Sequence, residues 1–259
     1  MIAALAFALL PQTGLPEQAA ILYEKAKASR FYATCAKLEP TVLPTKDGRS
    51  FALVWKSVPK PTKWVVSLHG SHGFATDDLA IWSGQVEARE LGFICLQWWL
   101  GSGDRTSDYL TPEVCYQEIA EILERQGVGR DQAMLHGFSR GSANTYAIMA
   151  LDTGKGKHFF GLAVASSGGV GLNYPPTKAI LDGTYGERPL GGTRWITAAG
   201  ASDPTPNRDG IPGMRAAADW LKAQGATVLE SIEDPVEGHG ALQRNPANAR
   251  HVLDVWLKL

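Results

Sequence analysis

The chain has 259 residues, of which 44% are hydrophobic and 20% charged, and its formal net charge is −1. That balance suits one large α/β domain with a sizeable core, and it leaves no electrostatic footprint for nucleic acid or an anionic membrane surface. Three cysteines, Cys35, Cys95 and Cys115, are too few for a disulfide scaffold; a Cys95–Cys115 bridge is one arrangement and buried free thiols are the favoured one.

Met1 to Leu10 is an apolar run of signal-peptide length, far too short to span a bilayer. No Lys or Arg precedes it and no small-x-small cleavage site follows. Read as a secretory signal, it favours a secreted or periplasmic location over a cytoplasmic one; the alternative is an apolar arm packed on the domain. A helix is predicted from Pro16 to Lys37, so residues 1–40 form an N-terminal segment ahead of a single domain at 41–259. Strands at Thr41–Leu43 and Phe51–Trp55 flank the turn Lys46-Asp47-Gly48. Strand and helix then alternate. Strands are predicted at Trp64–Leu68, Phe93–Trp98, Gln132–Leu135, Phe160–Ser166, Trp195–Ala199 and Thr227–Ile232. Helices are predicted at Asp77–Leu91, Thr111–Gln126, Ala143–Leu151, Met214–Ala223 and Asn245–Leu259, the last with Val252, Val255, Trp256 and Leu259 on one face. This alternation implies an α/β fold, with a mostly parallel central sheet covered by helices on both faces. The stretch Gly168–Gly192, rich in Gly and Pro, reads as a long loop bordering a site.

Gly137-Phe138-Ser139-Arg140-Gly141 sits between a short apolar strand and a helix. In that setting G-x-S-x-G is a nucleophile elbow, with the serine hydroxyl held out on a tight turn. Flanking glycines admit the close approach of strand and helix, and the helix N-terminus points free N–H groups at negative charge forming beside the serine. Ligands of open α/β sheets bind beyond the carboxyl ends of strands, and two further residues follow strands there, Asp203 and His239. Imidazole titrates near neutrality and can take the serine proton; a carboxylate on its other nitrogen fixes the tautomer. The chain order Ser, Asp, His is that of the α/β-hydrolase fold. Asp209 is the nearest rival acid. His136 is expected to be packed, and His158 and His251 to be surface or helix residues.

After the strand Trp64–Leu68 comes His69-Gly70-Ser71-His72-Gly73. A loop in that place supplies one oxyanion-hole N–H and the residue after the nucleophile supplies the other, which points to the backbones of Ser71 and Arg140. His69 is expected to steady the loop. Trp98 and Trp99, on the rim, could stack on an aromatic or sugar group or pack the loop down. No metal-ligand or nucleotide-binding spacing is present, so no cofactor or metal is implied.

Together, His136-Gly-Phe-Ser139-Arg-Gly141, His69-Gly-Ser-His-Gly73, Gly200-Ala-Ser-Asp203 and Gly238-His239 resemble the α/β-hydrolase superfamily over roughly residues 50–259. The nearest flavour is that of small serine esterases of the dienelactone-hydrolase, feruloyl-esterase and polyhydroxyalkanoate-depolymerase-like groups. The resemblance implies a carboxylic ester hydrolase with no large cap domain, working through an acyl-enzyme on Ser139 with Asp203 and His239, on a small or polymeric ester. A serine peptidase of the prolyl-oligopeptidase type and a non-catalytic binding protein on the same fold stay open at this point.

Overall fold

In the computed structural model, residues 14–154 and 156–259 are described. The apolar run at the N-terminus, with its two readings, lies outside them.

The chain enters through two short helices where the apolar spacing predicts one, α1 (Glu17–Ala26) and α2 (Tyr32–Lys37). Between them the Ser29 hydroxyl accepts the Phe31 N–H at 3.2 Å, the local competition by which serine interrupts a helix. α1 buries Ala19, Leu22, Tyr23 and Ala26, and Tyr23 meets Phe51 edge-on with ring centres 5.2 Å apart. Residues of α1 therefore share a core with the sheet.

One sheet holds β1 (Thr41–Pro44), β2 (Phe51–Lys56), β3 (Trp64–Leu68), β4 (Gly92–Leu96), β5 (Ala133–Phe138), β6 (Phe160–Ser166), β7 (Arg194–Gly200) and β8 (Thr227–Asp234), in the order β1-β2-β4-β3-β5-β6-β7-β8. The β1–β2 and β2–β4 pairs are antiparallel and the remaining neighbours parallel. The connections carry α3 (Ala75–Glu87), α4 (Pro112–Arg125), α5 (Arg140–Gly154), α6 (Pro175–Leu181), α7 (Ile211–Ala223), α8 (Ala241–Arg244) and α9 (Pro246–Trp256).

Strand side chains alternate between two apolar layers. Trp64, Val66 and Leu68 join Cys115 and Ile119 of α4, Ile148 of α5 and Leu221 of α7; Val65 joins Leu22 of α1, Trp82 of α3 and Trp256 of α9. Cys95 and Cys115 fall in different layers, and all three cysteines are free and buried. The sheet thus separates the two thiols whose bridging the sequence left open. Gly168–Gly192 is likewise more ordered than its composition suggests: it contains α6, opened by Pro175 and anchored by buried Thr177 and Ile180. Proline is preorganised for a first helical turn. No helix among the described residues is long and apolar enough to cross a membrane.

Strand order places β3 between β4 and β5, so the chain leaves β3 first to one side and then to the other. At such a switch point the loops at the strands' carboxyl ends diverge and open a crevice. Leu68 at the end of β3 pairs in register with Gly137 of β5, which brings the His69–Gly73 loop and the elbow side by side.

Candidate active site

β5 runs straight into the elbow. Ser139 has φ of 54°, left-handed backbone that a non-glycine residue adopts only under constraint. The constraint is visible: its N–H is held by the Ser166 carbonyl at 2.8 Å, and α5 starts at once, at Arg140. A Cβ on Gly137 would run into the Gly141 carbonyl, and one on Gly141 into the Leu68 carbonyl. Both glycines are therefore required by close approach. The helix begins three residues before the apolar pattern suggests, because Gly141 is there for fit and not for propensity.

The three distant residues meet. His239 Nε2 lies 2.9 Å from Ser139 Oγ, and His239 Nδ1 lies 2.8 Å from Asp203 Oδ2. The Asp203 side chain is fully buried and the imidazole 30% exposed, so the carboxylate is shielded while the imidazole faces the cleft. Burial raises the Asp203 pKa, but the Thr205 N–H at 2.8 Å, His239 and the Thr205 hydroxyl at 3.0 Å outweigh it and hold the carboxyl below its usual range. With Asp203 ionised, the Nδ1–H tautomer is favoured and Nε2 is left as the acceptor for the serine proton. Phe138 packs against the imidazole with ring centres 5.0 Å apart. The rival acid Asp209 points elsewhere: its carboxylate accepts from Thr205 Oγ1 at 2.8 Å and from Arg208 at 2.6 Å.

Beside Ser139, the loop after β3 is locked from below. Buried His69 makes its Nδ1 contact to the Gly70 carbonyl at 2.9 Å and takes the Trp98 N–H on Nε2 at 3.3 Å, while the Trp98 indole N–H donates to the His69 carbonyl at 2.9 Å. Burial pushes the His69 pKa down to about 4 against the opposing Gly70 carbonyl, so the ring stays neutral, as a loop brace should. The Tyr109 hydroxyl accepts the His72 N–H at 3.3 Å. Arg140, first residue of α5, has no upstream helical acceptor for its N–H, and its side chain is tied to Asp104 at 3.1 Å. Trp98 is 1% exposed, a packed side chain and not a rim platform. Trp99 is partly buried, donates to the Gly103 carbonyl at 3.0 Å and stacks edgewise on His72. A cavity of about 460 Å³ opens here, lined by Gly70, Ser71, Phe138, His239 and Gly240.

Several positioning residues escape the sequence. Asp234, at the end of β8, accepts the Val236 and Glu237 N–H groups at 3.0 and 2.9 Å on one oxygen, and the Asn245 and Asn248 amides at 2.8 Å on the other. The Glu237 N–H foremost, with the other donors, draws its pKa down to about 2. One carboxylate thus fixes the loop that carries His239 and docks the helices behind it. A second chain runs under the elbow: Asp78 contacts the Ser67 hydroxyl, Ser67 Oγ lies 2.8 Å from His136 Nδ1, and His136 Nε2 lies 2.7 Å from the Gln243 amide of α8. Burial alone drives the His136 pKa to about 3, in keeping with its expected packed state. His158 is partly buried, and His251 is exposed and pairs with Glu230 at 2.7 Å.

Asp203, Asp209 and His239 place ligand-type atoms within 4.8 Å of one another. His239 Nε2, Asp203 Oδ1 and Asp209 Oδ2 already contact Ser139, Thr205 and Arg208 respectively.

No protein-family model matches the sequence, and no curated protein matches it at the sequence level. Solved structures do resemble it. A hyperthermophilic esterase from Pyrobaculum calidifontis is similar with a TM-score of 0.65 and 15% identity, over 92% of this chain and 91% of that one. A thermostable carboxylesterase cloned from a metagenomic library gives 0.62 and 17%, over 97% of each chain. A phospholipase/carboxylesterase from Dyadobacter fermentans gives 0.56 and 19%, over 80% of this chain and 95% of that one. At such identities the likeness establishes the fold, which is the α/β-hydrolase fold.

Proposed function

We propose that the protein is a serine hydrolase of carboxylic esters. The observation that carries this is the continuous line from Asp203 through His239 to Ser139, at 2.8 and 2.9 Å, on an elbow whose left-handed backbone at Ser139 turns directly into α5. Ser139 Oγ attacks the ester carbonyl carbon as His239 Nε2 takes its proton. The carbonyl oxygen becomes an oxyanion facing the Ser71 and Arg140 N–H groups. Losing one such donor typically costs ~3–4 kcal/mol of barrier. As the C–O bond breaks, His239 returns the proton to the departing alcohol, leaving Ser139 acylated. Water, deprotonated by the same imidazole, repeats the addition, and the acid leaves with Ser139 restored. Asp203 stays ionised throughout and stabilises the transient imidazolium. The solved structures described as esterases and a carboxylesterase share this fold and support the ester reading.

Purified protein, assayed on a panel of p-nitrophenyl esters and matched peptide anilides, tests this. Hydrolysis of esters at a kcat/KM at least a hundredfold above the anilides, lost in Ser139→Ala, is expected. A preference for anilides would replace the esterase with a peptidase, and inactivity on both would leave a binding protein.

A further inference from the structure

Residues 99–109, between β4 and α4, form a strap beside the elbow. The ends of the strap are pinned to each other: Trp99 and Tyr109 pair as an antiparallel bridge, and the Leu100 N–H donates to the Asp108 carbonyl at 2.9 Å. Its middle is braced by the Asp108 carboxylate, which takes the Arg105 N–H at 2.7 Å, and by the Trp99 indole N–H on the Gly103 carbonyl at 3.0 Å. Asp104 is thus presented from a closed, internally bonded loop. Three groups converge on one of its carboxylate oxygens. Asp104 Oδ1 lies 3.1 Å from Arg140 Nη2, 3.4 Å from His72 Nε2 and 3.3 Å from the Tyr109 hydroxyl. Arg140 Nη2 also donates to the Asp104 carbonyl at 3.0 Å, and its guanidinium sits 4.3 Å over the Tyr109 ring. The Tyr109 hydroxyl in turn accepts the His72 N–H at 3.3 Å. Backbone and side chain of His72 therefore end on the same carboxylate oxygen, one through Tyr109 and the other directly. Burial raises the Tyr109 pKa against the His72 N–H and the Arg140 charge, so the phenol keeps the proton it shares with Asp104.

This ring joins two segments that the proposed chemistry needs in register. His72 follows Ser71 on the loop after β3, and Arg140 follows Ser139 at the start of α5; the N–H groups of Ser71 and Arg140 are the two that face the oxyanion in the proposed reaction. His72 also has φ of 57°, left-handed backbone that persists in a non-glycine residue only where its neighbours over-determine it. Asp104 and Tyr109 supply that constraint. Exposed ion pairs contribute little to stability, and the Asp104 side chain is 60% exposed, so the contacts matter chiefly for placement. We infer that Asp104 is a positioning residue that holds the two arms of the oxyanion hole together, gripping Arg140 on one and His72 on the other. The inference rests on the ester-hydrolase reading.

Steady-state kinetics on a p-nitrophenyl ester, paired with inhibition by an aryl trifluoromethyl ketone, test it. The ketone carbon bonds to Ser139 Oγ, its carbonyl oxygen becomes an alkoxide in the oxyanion hole, and His239 takes the serine proton, so its Ki reads the hole directly. Outright loss of an oxyanion donor costs about 10²–10³-fold in kcat, and a displaced donor costs less, so Asp104→Ala should lower kcat about tenfold. KM should stay within about twofold while Ki for the ketone rises in step with the fall in kcat, since the missing interaction is made only in the transition state. Asp104→Asn keeps an acceptor oxygen for Arg140 and Tyr109 and should recover most of the loss. Tyr109→Phe cuts the same ring elsewhere, so the double variant should fall no more than about twofold below the worse single one. Unchanged kcat and Ki in Asp104→Ala, or losses that simply multiply in the double variant, would overturn the inference. Lower melting temperatures with an unchanged Ki would reduce Asp104 to a structural role. A native protein that neither hydrolyses the ester nor binds the ketone would sink the hydrolase reading itself, and that outcome shows before any substitution is made.

Discussion

The Asp203 and Asp209 carboxylates are neighbours on one loop, yet only Asp203 reaches the imidazole. Thr205 sorts them: its N–H goes to Asp203, and its hydroxyl, with one proton to give, lies between the two carboxylates, 3.0 Å from Asp203 and 2.8 Å from Asp209. Asp203→Asn should therefore lower kcat roughly 10⁴-fold, as loss of the orienting carboxylate does elsewhere. Asp209→Asn should change kcat less than about tenfold by the same reasoning, since its carboxylate does not bond to His239. Initial rates on a p-nitrophenyl ester, with thermal melts as a folding control, check both. Ser139 and His239 were legible because glycines bracket them at strand ends, a local signal. The depth of Trp98 was not: nothing in the string Trp98-Trp99 says which ring faces inward, and the answer lies with His69, 29 positions away. Tyr109 and Thr205 give no signal, since each matters only through a neighbour brought by the fold.

Among the elements, the connection from β8 through α8 to α9 carries His239, and Asp234 holds it. Removing that carboxylate leaves two backbone N–H groups and two amides without their acceptor. Asp234→Ala is expected to cost roughly 2–3 kcal/mol of stability and to lower kcat several-fold with little change in KM, because His239 loses its placement while the cavity remains. Urea denaturation and steady-state kinetics on one preparation separate the two effects. Gln243→Ala should likewise lower kcat more than KM, since it cuts the link between His136 and α8. The elements themselves were readable from periodicity, with ends displaced by a few residues. The broken N-terminal helix and α6 were misjudged because a serine hydroxyl and two prolines decided them against the apolar pattern.

For the molecule as a whole, the sheet's switch point decides where the site lies, and two buried histidines beneath it decide how stability varies with pH. His69 and His136 stay neutral in the fold, with pKa values of about 4 and about 3. Both take protons near 6.5 when unfolded. Asp78 acts oppositely: burial, ahead of its hydrogen bonds, lifts it to about 7 in the fold from 3.8. Two protons gained on unfolding less one lost make these three groups a contribution of about 1.4 kcal/mol per unit to the fall in stability as pH drops from about 6 to 5, which the raised carboxyls of Asp77, Glu118 and Asp152 reduce. Asp78→Asn removes one opposing group and should steepen the fall. Urea midpoints of the native and Asp78→Asn proteins across this range measure it, and equal slopes in the two would mean that Asp78 is not held protonated in the fold. Near pH 4 and below, Asp234 adds its own loss, since its depressed pKa stabilises the fold above 3.8 and that contribution disappears toward about 2.

The strand order that makes the crevice is a long-range property; alternation and resemblance give a mostly parallel sheet from the sequence but not its order, which brings residues 139, 203 and 239 together. The most direct measurement is intact-mass and peptide-mapped labelling with a fluorophosphonate. A single adduct on Ser139, absent from Ser139→Ala and slowed at least a hundredfold in His239→Ala, is the result expected. No adduct on the native protein, or an adduct on another residue, would contradict the account.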